Sequence, residues 1–232
     1  MALTKHEEEI YKQITAVEPE ITDTIQKLSN KAHMPLFGLD FRLKTKASLN
    51  EKLHERMQKT SIESTKDIVR YTMLSNEEDY ASNVQSMLDY FEKSKRFDLT
   101  KVTNYWTKEN IPYQGINTQI YDHKTGLAFE IQYHTEESVL KKEITHKLYE
   151  AGRVLSNDDP IKEQLDRQQM EINQSIPIPK NAKTIKSFQK TCPLSIPKTT
   201  EKSKTNQQII NKVLNLAQVF PEKTDDVNYQ LS

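Results

Sequence analysis

Side chains able to do acid-base chemistry alternate with apolar ones in residues 127–134, which read LAFEIQYH. This period of two is that of a β-strand with one apolar and one polar face, so Glu130 and Gln132 point to the same side. A carboxylate beside an amide on an open sheet face can accept a proton or hold a metal ion and a hydroxyl group. An ordinary half-exposed strand is the alternative interpretation of this stretch taken alone.

A second carboxylate and a group of cations precede this strand. Asp67 stands at the entrance of residues 66–74, whose β-branched and aromatic residues predict another strand. With Glu130 it forms an acidic pair suited to Mg²⁺, which binds one or two carboxylates and leaves its other positions to water and phosphate oxygens. Further upstream, a strand-to-helix bend of a kind that can hold a triphosphate carries Arg42, Lys44, Ser48 and Lys52. Solvated surface cations are the alternative.

The predicted elements alternate helices with strands and then close in a three-stranded meander. Strand patterns cover residues 39–44, 66–74, 99–106, 113–121 and 127–134, the last two joined as a hairpin. Helical patterns cover residues 4–32, 47–58, 76–91, 136–152 and 158–174. Thr45 and Ser48 are candidate caps of the second helix, and Ser75 or Asn76 is the candidate cap of the third. Pro19 is a candidate break in the first helix, and the fourth carries Val139, Leu140, Ile144, Leu148 and Tyr149.

The composition changes in the last quarter of the chain, where prolines are interleaved with Lys, Thr, Ser, Asn and Gln. Such a composition is typical of a linker or disordered tail. Between Lys180 and Lys204 there are seven lysines and one acid, Glu201. This basic run indicates either a solvated tail or a surface that contacts nucleic acid or a membrane. Residues 209–219 have the spacing of a short amphipathic helix.

Composition excludes several classes of protein. The 232 residues carry 33 basic and 33 acidic side chains, so net charge does not point to a polyanionic partner. The single cysteine, Cys192, excludes an internal disulfide and a cysteine-rich zinc site and suits a reducing compartment. The first residues lack the apolar core of a signal peptide, and no apolar run could span a bilayer. We therefore expect no membrane partner and a cytoplasmic site of action, in the producing cell or in another cell reached by a signal-independent route.

Several short elements, in order, resemble the motifs of RelA/SpoT-type nucleotide pyrophosphokinases. RLKTKASLNEK, beginning at Arg42, resembles the R-x-K-[ST]-x-x-S-[IL]-x-x-K element, and KDIVRYT resembles the D-I-x-x-x-R strand with its Mg²⁺-binding aspartate at Asp67. YQGIN is similar to G-Y-R-S-L-H and places Tyr113 at the purine-stacking tyrosine. FEIQYHT resembles E-V-Q-I-R-T and places Glu130 at the catalytic glutamate. THKLYEAGR is similar, more loosely, to the helix that follows.

The resemblance covers about residues 36–155 and looks closest to toxin-like or secreted members of the family. Three positions depart from its pattern: Arg70 and Pro112 replace glycines, and His134 replaces an arginine. These departures bear on the choice of acceptor more than on the type of reaction. No metal-dependent hydrolase domain precedes the matched region, so the resemblance implies no degradation of the product by this chain.

The reaction that the resemblance implies is Mg²⁺-dependent transfer of the β,γ-pyrophosphate of ATP to the 3′-hydroxyl of a purine nucleotide. The products would be AMP and a nucleotide of the (p)ppGpp or (p)ppApp type. Asp67 and Glu130 would be catalytic and would hold Mg²⁺, and Glu130 would also accept or orient the hydroxyl proton. The substrate-binding residues would be Arg42, Lys44, Ser48, Lys52, Arg70, Tyr113, Asn117, Gln132, His134, His146 and Arg153.

The resemblance also implies an α+β, RelA/SpoT-type nucleotidyltransferase fold, a mixed sheet of about five strands flanked by helices, with a largely irregular C-terminal tail. We expect an N-terminal helical segment (1–35), the synthetase-like domain (36–157), a peripheral helix (158–175) and the Pro/Lys-rich tail (176–232). The expected partners are ATP, a purine nucleotide acceptor and an activator or antitoxin protein. Two alternatives remain: pyrophosphorylation of the tRNA 3′ end, with the basic tail on the tRNA backbone, and a catalytically idle domain that binds nucleotide or RNA.

Overall fold

A mixed β-sheet forms the centre of the computed structural model, which describes residues 2–55 and 60–198. The strands are β1 (Leu36–Phe37), β2 (Arg70–Leu74), β3 (Phe97–Asn104), β4 (Ile116–Asp122), β5 (Leu127–His134) and β6 (Phe188–Gln189). The helices are α1 (Lys5–Lys31), α2 (Lys46–Asn50), α3 (Tyr80–Lys93), α4 (Glu136–Gly152) and α5 (Pro160–Gln174). The predicted α+β class and mixed sheet are confirmed, with six strands in the described residues where about five were expected. Among the described helices, none has the length and apolarity needed to cross a bilayer.

The strand order is β1-β2-β5-β4-β3-β6, and only the β2–β5 pair of this sheet is parallel. Its register sets Arg70 beside Glu130 and Thr72 beside Gln132. The antiparallel β4–β5 pair adds Asn117 beside Gln132 on the other side. Because side chains alternate between the two faces of a strand, these polar residues share one face. The opposite face of β5 carries fully buried apolar side chains, including Phe129 and Ile131.

Helix α1 is continuous across Pro19, so the predicted break there is wrong. A proline inside a helix removes one backbone hydrogen bond and crowds the preceding turn. The helix nevertheless continues because its apolar stripe is buried on both sides of the proline, with Ile14 and Ile21 fully inaccessible. A capping box between Thr4 and Glu7 fixes its first turn.

The strand predicted at residues 39–44 is also wrong. Gly38 adopts a left-handed conformation with φ of 62°, and Leu39–Phe41 forms a 3-10 turn. Phe41 is 81% exposed, and Leu43 forms only an isolated bridge to Val69, just before β2. In this bridge the Arg70 amide donates to the Arg42 carbonyl, and the Lys44 amide donates to the Ile68 carbonyl. The alternation of residue types across the turn therefore did not reflect two faces of a strand. The strand of this region lies just before the turn, at Leu36–Phe37.

The ends of other helices differ by a few residues from those that the sequence predicts. Thr45 caps α2 by accepting a hydrogen bond from the Ser48 amide, and the helix continues as a π-helical turn over Glu51–Glu55. Residues 56–58 of the predicted helix lie outside the described residues, as does the amphipathic helix predicted at 209–219. The third helix begins at Tyr80, because Asn76 caps a turn at Asp79 instead.

Helix α4 buries less of its apolar set than the pattern indicates. Of the five apolar residues named from its sequence, Val139 is buried, whereas Leu140 and Ile144 are about half exposed. Two polar residues, Ser138 and Thr145, are buried on this helix as well. The face of α4 turned towards the protein is therefore partly polar.

Residues 176–198, which composition assigns to the tail, extend the fold. Strand β6 pairs with β3, and Ile176 and Ile185 join the apolar core. The buried amide of Asn104 donates hydrogen bonds of 2.8 Å to the carbonyls of Ala182 and Ile185. The compact unit accordingly runs to Lys198 and does not end at residue 175. The overall composition of this segment is polar, and it therefore did not reveal the few apolar side chains that hold the segment in place.

Replacing Asn104 with Ala should lower the free energy of unfolding by about 2–3 kcal/mol, because the Ala182 and Ile185 carbonyls each lose the hydrogen bond that the buried Asn104 amide donates. Urea unfolding monitored by circular dichroism measures this change. Gln85→Ala on the exposed side of α3 is the matched control and should change stability by less than about 0.5 kcal/mol. Equal stabilities of the two variants would show that the Asn104 contacts do not hold residues 182–187 on the sheet.

Candidate active site

Glu130 lies in the middle of β5 on the polar face of the sheet. The Gln132 side chain amide donates a hydrogen bond of 2.6 Å to its Oε1 atom. Burial raises the pKa of Glu130, and the nearby positive charge of Arg70 only partly opposes this effect. A carboxylate with a raised pKa is a stronger base than an exposed one, so Glu130 is suited to accept a proton.

Asp67 lies just before β2 and is held by two lysines. Lys52 Nζ forms an ion pair with its Oδ1 atom, and Lys44 Nζ lies 3.5 Å from its Oδ2 atom. Burial by itself would raise the pKa of Asp67, but the charges of Lys44 and Lys52 outweigh it and hold the pKa below its ordinary value. Asp67 therefore carries its negative charge at neutral pH and can bind a cation.

Arg70 stands between the two acids. It is the register neighbour of Glu130, and its charge acts on the pKa of both Glu130 and Asp67. Among residues 2–55 and 60–198, no ion pair or side-chain hydrogen bond engages its guanidinium group. A partly buried guanidinium without a protein partner is well placed to bind a phosphate group.

An aromatic cluster borders the same face. The Tyr113 hydroxyl donates a hydrogen bond of 2.6 Å to Asn117 Oδ1 and lies 2.9 Å from His134 Nε2. The Tyr105 and Tyr113 rings pack edge to face, with their centroids 4.8 Å apart. Burial lowers the pKa of His134 well below its usual range, so its ring is neutral and hydrogen-bonds Tyr113 without adding charge. At Gly115 a Cβ atom would lie 2.8 Å from His134 Cε1, so a glycine is needed there.

Lys142 is a site residue that the sequence analysis missed. Its Nζ atom donates a hydrogen bond of 3.1 Å to Gln132 Oε1. Burial lowers its pKa, as does the nearby charge of Arg70. It lies on the face of α4 that also buries Ser138 and Thr145. The sequence feature that could have pointed to Lys142 is this set of polar residues at helical spacing. That signal does not reveal which strand the helix covers.

Four of the predicted substrate-binding residues make their contacts elsewhere. Arg42 Nε pairs with the buried Glu18 of α1 at 2.7 Å. Arg153 pairs with Glu51 and Glu150, and the His146 side chain is 60% exposed. Ser48 is exposed in the first turn of α2. Within the described residues no contact joins these four to Asp67 or Glu130, and their binding of substrate remains a prediction. The structure does bring together Lys44, Lys52, Asp67, Arg70, Tyr113, Asn117, Glu130, Gln132 and His134.

The donor set fits Mg²⁺. Asp67 lies just before β2, the parallel neighbour of the strand that carries Glu130, and its charge contributes to the raised pKa of Glu130. In the described part of the chain, no group of three or more His, Cys, Asp or Glu residues could hold a metal ion. Two carboxylates without a third protein ligand suit an ion that takes its remaining ligands from water and substrate phosphates.

A cavity of about 720 Å³ lies apart from these residues, at the carboxyl ends of β2 and β5. Its wall includes Leu74 and Leu140 together with Glu77, Glu136 and Glu137. Three carboxylates would repel a polyphosphate, whereas Lys44, Lys52 and Arg70 would attract one. The sheet face around Glu130 is therefore the better candidate for a nucleotide site.

Comparison with solved structures identifies the fold. Small alarmone synthetase 1 from Bacillus subtilis superposes with a TM-score of 0.56 at 16% identity, over 91% of this chain and 98% of that one. Small alarmone synthetase 2 from the same organism gives 0.53 at 17% identity, over 94% and 100%. This chain has the small alarmone synthetase fold. The type VI effector Tas1, solved in complex with its immunity protein, is similar too, with a TM-score of 0.53 at 16% identity over 75% of this chain and 97% of that one.

Sequence comparison alone does not place the chain. No family model matches it, and no curated protein matches it. At 16–17% identity the small alarmone synthetase fold is shared while most side chains differ.

The two carboxylates should affect stability in opposite ways without added metal. The pKa of Glu130 is raised on folding, so its ionisation destabilises the folded state once pH rises above its unfolded pKa. Glu130→Gln should therefore raise the free energy of unfolding at pH 7, and this gain should vanish at a pH below the ordinary glutamate value of about 4.3. Urea unfolding of the variant and the wild-type protein in EDTA, at several pH values, measures this difference in the free energy of unfolding.

Asp67→Asn is the comparison. Because the pKa of Asp67 is lowered on folding, its ionised form stabilises the folded protein above its unfolded pKa, and this contribution is lost as pH falls through the folded pKa. Asp67→Asn should thus lower stability at pH 7. The same sign for both variants at pH 7 would contradict the assignment of Glu130 as the desolvated carboxylate.

Proposed function

We propose that this protein transfers the β,γ-pyrophosphate of ATP to the 3′-hydroxyl of a purine nucleotide in a Mg²⁺-dependent reaction. The products would be AMP and a (p)ppGpp- or (p)ppApp-type nucleotide. The observation that carries the proposal is the grouping of a desolvated Glu130, its register neighbour Arg70 and the Asp67–Lys44–Lys52 cluster around one sheet face. This grouping occurs in a chain with the small alarmone synthetase fold.

The chemical step requires a base and a stabilised leaving group. The acceptor 3′-oxygen attacks the β-phosphorus of ATP, and the bond from that phosphorus to the oxygen bridging the α-phosphate breaks. AMP leaves with the electron pair, and Glu130 takes the proton of the hydroxyl group. Its raised pKa makes the Glu130 carboxylate a stronger base, and the Gln132 amide fixes one of its oxygens.

The cations of the site would hold the phosphates. Lys44 and Lys52, which contact Asp67, can also donate hydrogen bonds to phosphate oxygens, and Arg70 can bind another phosphate oxygen. Bound at Asp67 and Glu130, Mg²⁺ would neutralise the charge of the transferred group. Stabilising this charge is the main requirement of phosphoryl transfer, because the transition state needs little covalent help.

Tyr113 would bind the acceptor base. Stacking of a base on an aromatic ring contributes about 1–3 kcal/mol and tolerates any base. Asn117 and His134 fix the Tyr113 hydroxyl, which orients the ring. This arrangement can hold the base of the proposed purine acceptor, and it does not select between guanine and adenine.

A role as a toxin or effector is the setting that we propose for this activity. Tas1, a type VI effector solved with its immunity protein, has the same fold over three quarters of this chain. We accordingly propose a neutralising protein partner for this chain. Co-expression of neighbouring open reading frames with a toxic form of the protein would identify such a partner by restored growth.

Incubation with γ-labelled ATP, Mg²⁺ and single acceptors should move the label to GDP, GTP, ADP or AMP with release of AMP from the donor. Chromatographic separation of the products measures the transfer. Label that moves only to deacylated tRNA would contradict the nucleotide acceptor and favour tRNA pyrophosphorylation. Label that stays in ATP with every acceptor would favour a nucleotide-binding domain without turnover.

Glu130→Gln should lower kcat by about 10²–10⁴-fold, because the base is lost while the shape of the site is kept. Glu163→Gln on the exposed face of α5 is the matched control and should retain full activity. Both variants are assayed under identical conditions with the preferred acceptor. Retained transfer in Glu130→Gln would refute the proposed role of Glu130 even if the reaction itself is confirmed.

A further inference from the structure

We infer that Lys142 is a positioning residue that acts through the Gln132 amide to orient the Glu130 carboxylate. The inference deepens the proposed function and rests on it. It assigns a task to a side chain that lies on α4, outside the strand that carries Glu130 and Gln132. Lys142 would touch neither the transferred group nor the acceptor hydroxyl.

The three side chains form a continuous chain of hydrogen bonds. Lys142 Nζ donates to Gln132 Oε1 at 3.1 Å, and Gln132 Nε2 donates to Glu130 Oε1 at 2.6 Å. Gln132 is only 5% exposed, so water has little access to its amide. Each end of the amide therefore has a protein partner.

The chemistry of lysine determines the direction of these hydrogen bonds. An amide group can present either its oxygen or its nitrogen to a neighbour, and its orientation depends on the hydrogen bonds available. A lysine ammonium group has donors and no acceptor, so only the oxygen of Gln132 can face Lys142. The amino group must then face Glu130, where it donates to one carboxylate oxygen. The other carboxylate oxygen is left to accept the hydroxyl proton.

Helix α4 holds Lys142 rigidly enough for this task. Thr135 and Ser138 form a capping box that fixes the start of the helix directly after β5. Val139 and Thr145, on either side of Lys142 along the helix, are buried. Supporting residues on a rigid, well-packed element can hold a reacting group in its productive geometry.

The neighbouring lysine provides a contrast within the same helix. Lys141 Nζ contacts Glu137 at 2.5 Å and the carbonyl and hydroxyl oxygens of Ser175. These contacts connect α4 to the end of α5 and do not involve the sheet face. A change at Lys141 thus removes a lysine from α4 without disturbing Gln132.

The first test compares Lys142→Met, Lys142→Arg and Lys141→Met in the pyrophosphate transfer assay. Methionine has nearly the length of lysine and no donor, so Lys142→Met should lower kcat on the order of 10²-fold while KM for ATP stays within about twofold. Lys142→Arg keeps donors and should restore most of kcat, and Lys141→Met should match the wild-type protein. An unchanged kcat in Lys142→Met, or a change confined to KM, would overturn the inference.

A double-variant cycle tests the path of the effect. If Lys142 acts only through Gln132, combining Lys142→Met with Gln132→Met should lower kcat no further than Gln132→Met alone. Independent effects that multiply in the double variant would show that Lys142 acts by another route. They would thereby overturn the inference even if Lys142→Met is slow.

A measurement without turnover separates this inference from the proposed function. In ¹⁵N-resolved spectra the protons of the Gln132 side-chain amide, assigned by their absence in Gln132→Met, should be protected from solvent exchange. Lys142→Arg should preserve this signature and Lys142→Met should lose it. If the wild-type protein transfers no pyrophosphate, the proposed function fails, whereas an amide signature unaltered by Lys142→Met refutes the positioning by Lys142.

Discussion

The parallel pairing of β2 with β5 is the constraint on which the site depends. It sets Arg70 beside Glu130 and brings Asp67, just upstream of β2, to the same region. Parallel neighbours cannot be joined by a tight turn, and here the connection contains α3, β3 and β4. A slip of one residue in this register would turn Arg70 to the opposite face from Glu130. The apolar residues that alternate with them prevent such a slip, because their burial on the other face fixes the register.

Electrostatics then gives the two carboxylates different properties. Glu130 is desolvated and has a raised pKa, whereas Asp67 is held ionised by Lys44 and Lys52. Environments that move the pKa values of two acids apart are the usual way in which one becomes a base and the other remains an anion. With Arg70 and Lys142 included, four cations accompany Asp67 and Glu130, and the carboxylate of Glu143 lies 3.7 Å from Lys142 Nζ. This excess of positive charge suits the binding of polyphosphates that we propose for the site.

Two elements far apart in the sequence support this face indirectly. Arg42 lies in a motif that looks suited to phosphates, yet in the structure it neutralises the buried Glu18 of α1, which also contacts Tyr71 and Thr22. A buried carboxylate needs such a partner, because an unpaired charge away from water is strongly unfavourable. Near the β6 edge of the sheet, Asn104 holds residues 182–187 against β3. Both sets of polar contacts support the sheet, and the hydrophobic pattern describes neither of them.

The sequence by itself determined the elements with regular periodicity and the residues whose chemistry they present. The alternation in β5 identified Glu130 and Gln132, and the strand-like run after Asp67 located the second acid. Predictions from local sequence patterns were wrong where backbone conformation or long-range packing outweighed the local preference. Gly38 turns the chain and abolishes the strand predicted at residues 39–44, and α1 passes through Pro19 because packing outweighs one lost hydrogen bond.

Only the tertiary structure decided which charged groups meet. Lys142 comes from a helix and reaches Gln132 because α4 packs across β5, whereas Arg42 is drawn away by Glu18. It also decided that residues 176–198 belong to the fold, through contacts made across more than seventy residues of sequence. Periodicity depends on a residue's nearest neighbours along the chain. The pKa, pairing and accessibility of a charged side chain depend on neighbours in space, which only the folded arrangement specifies.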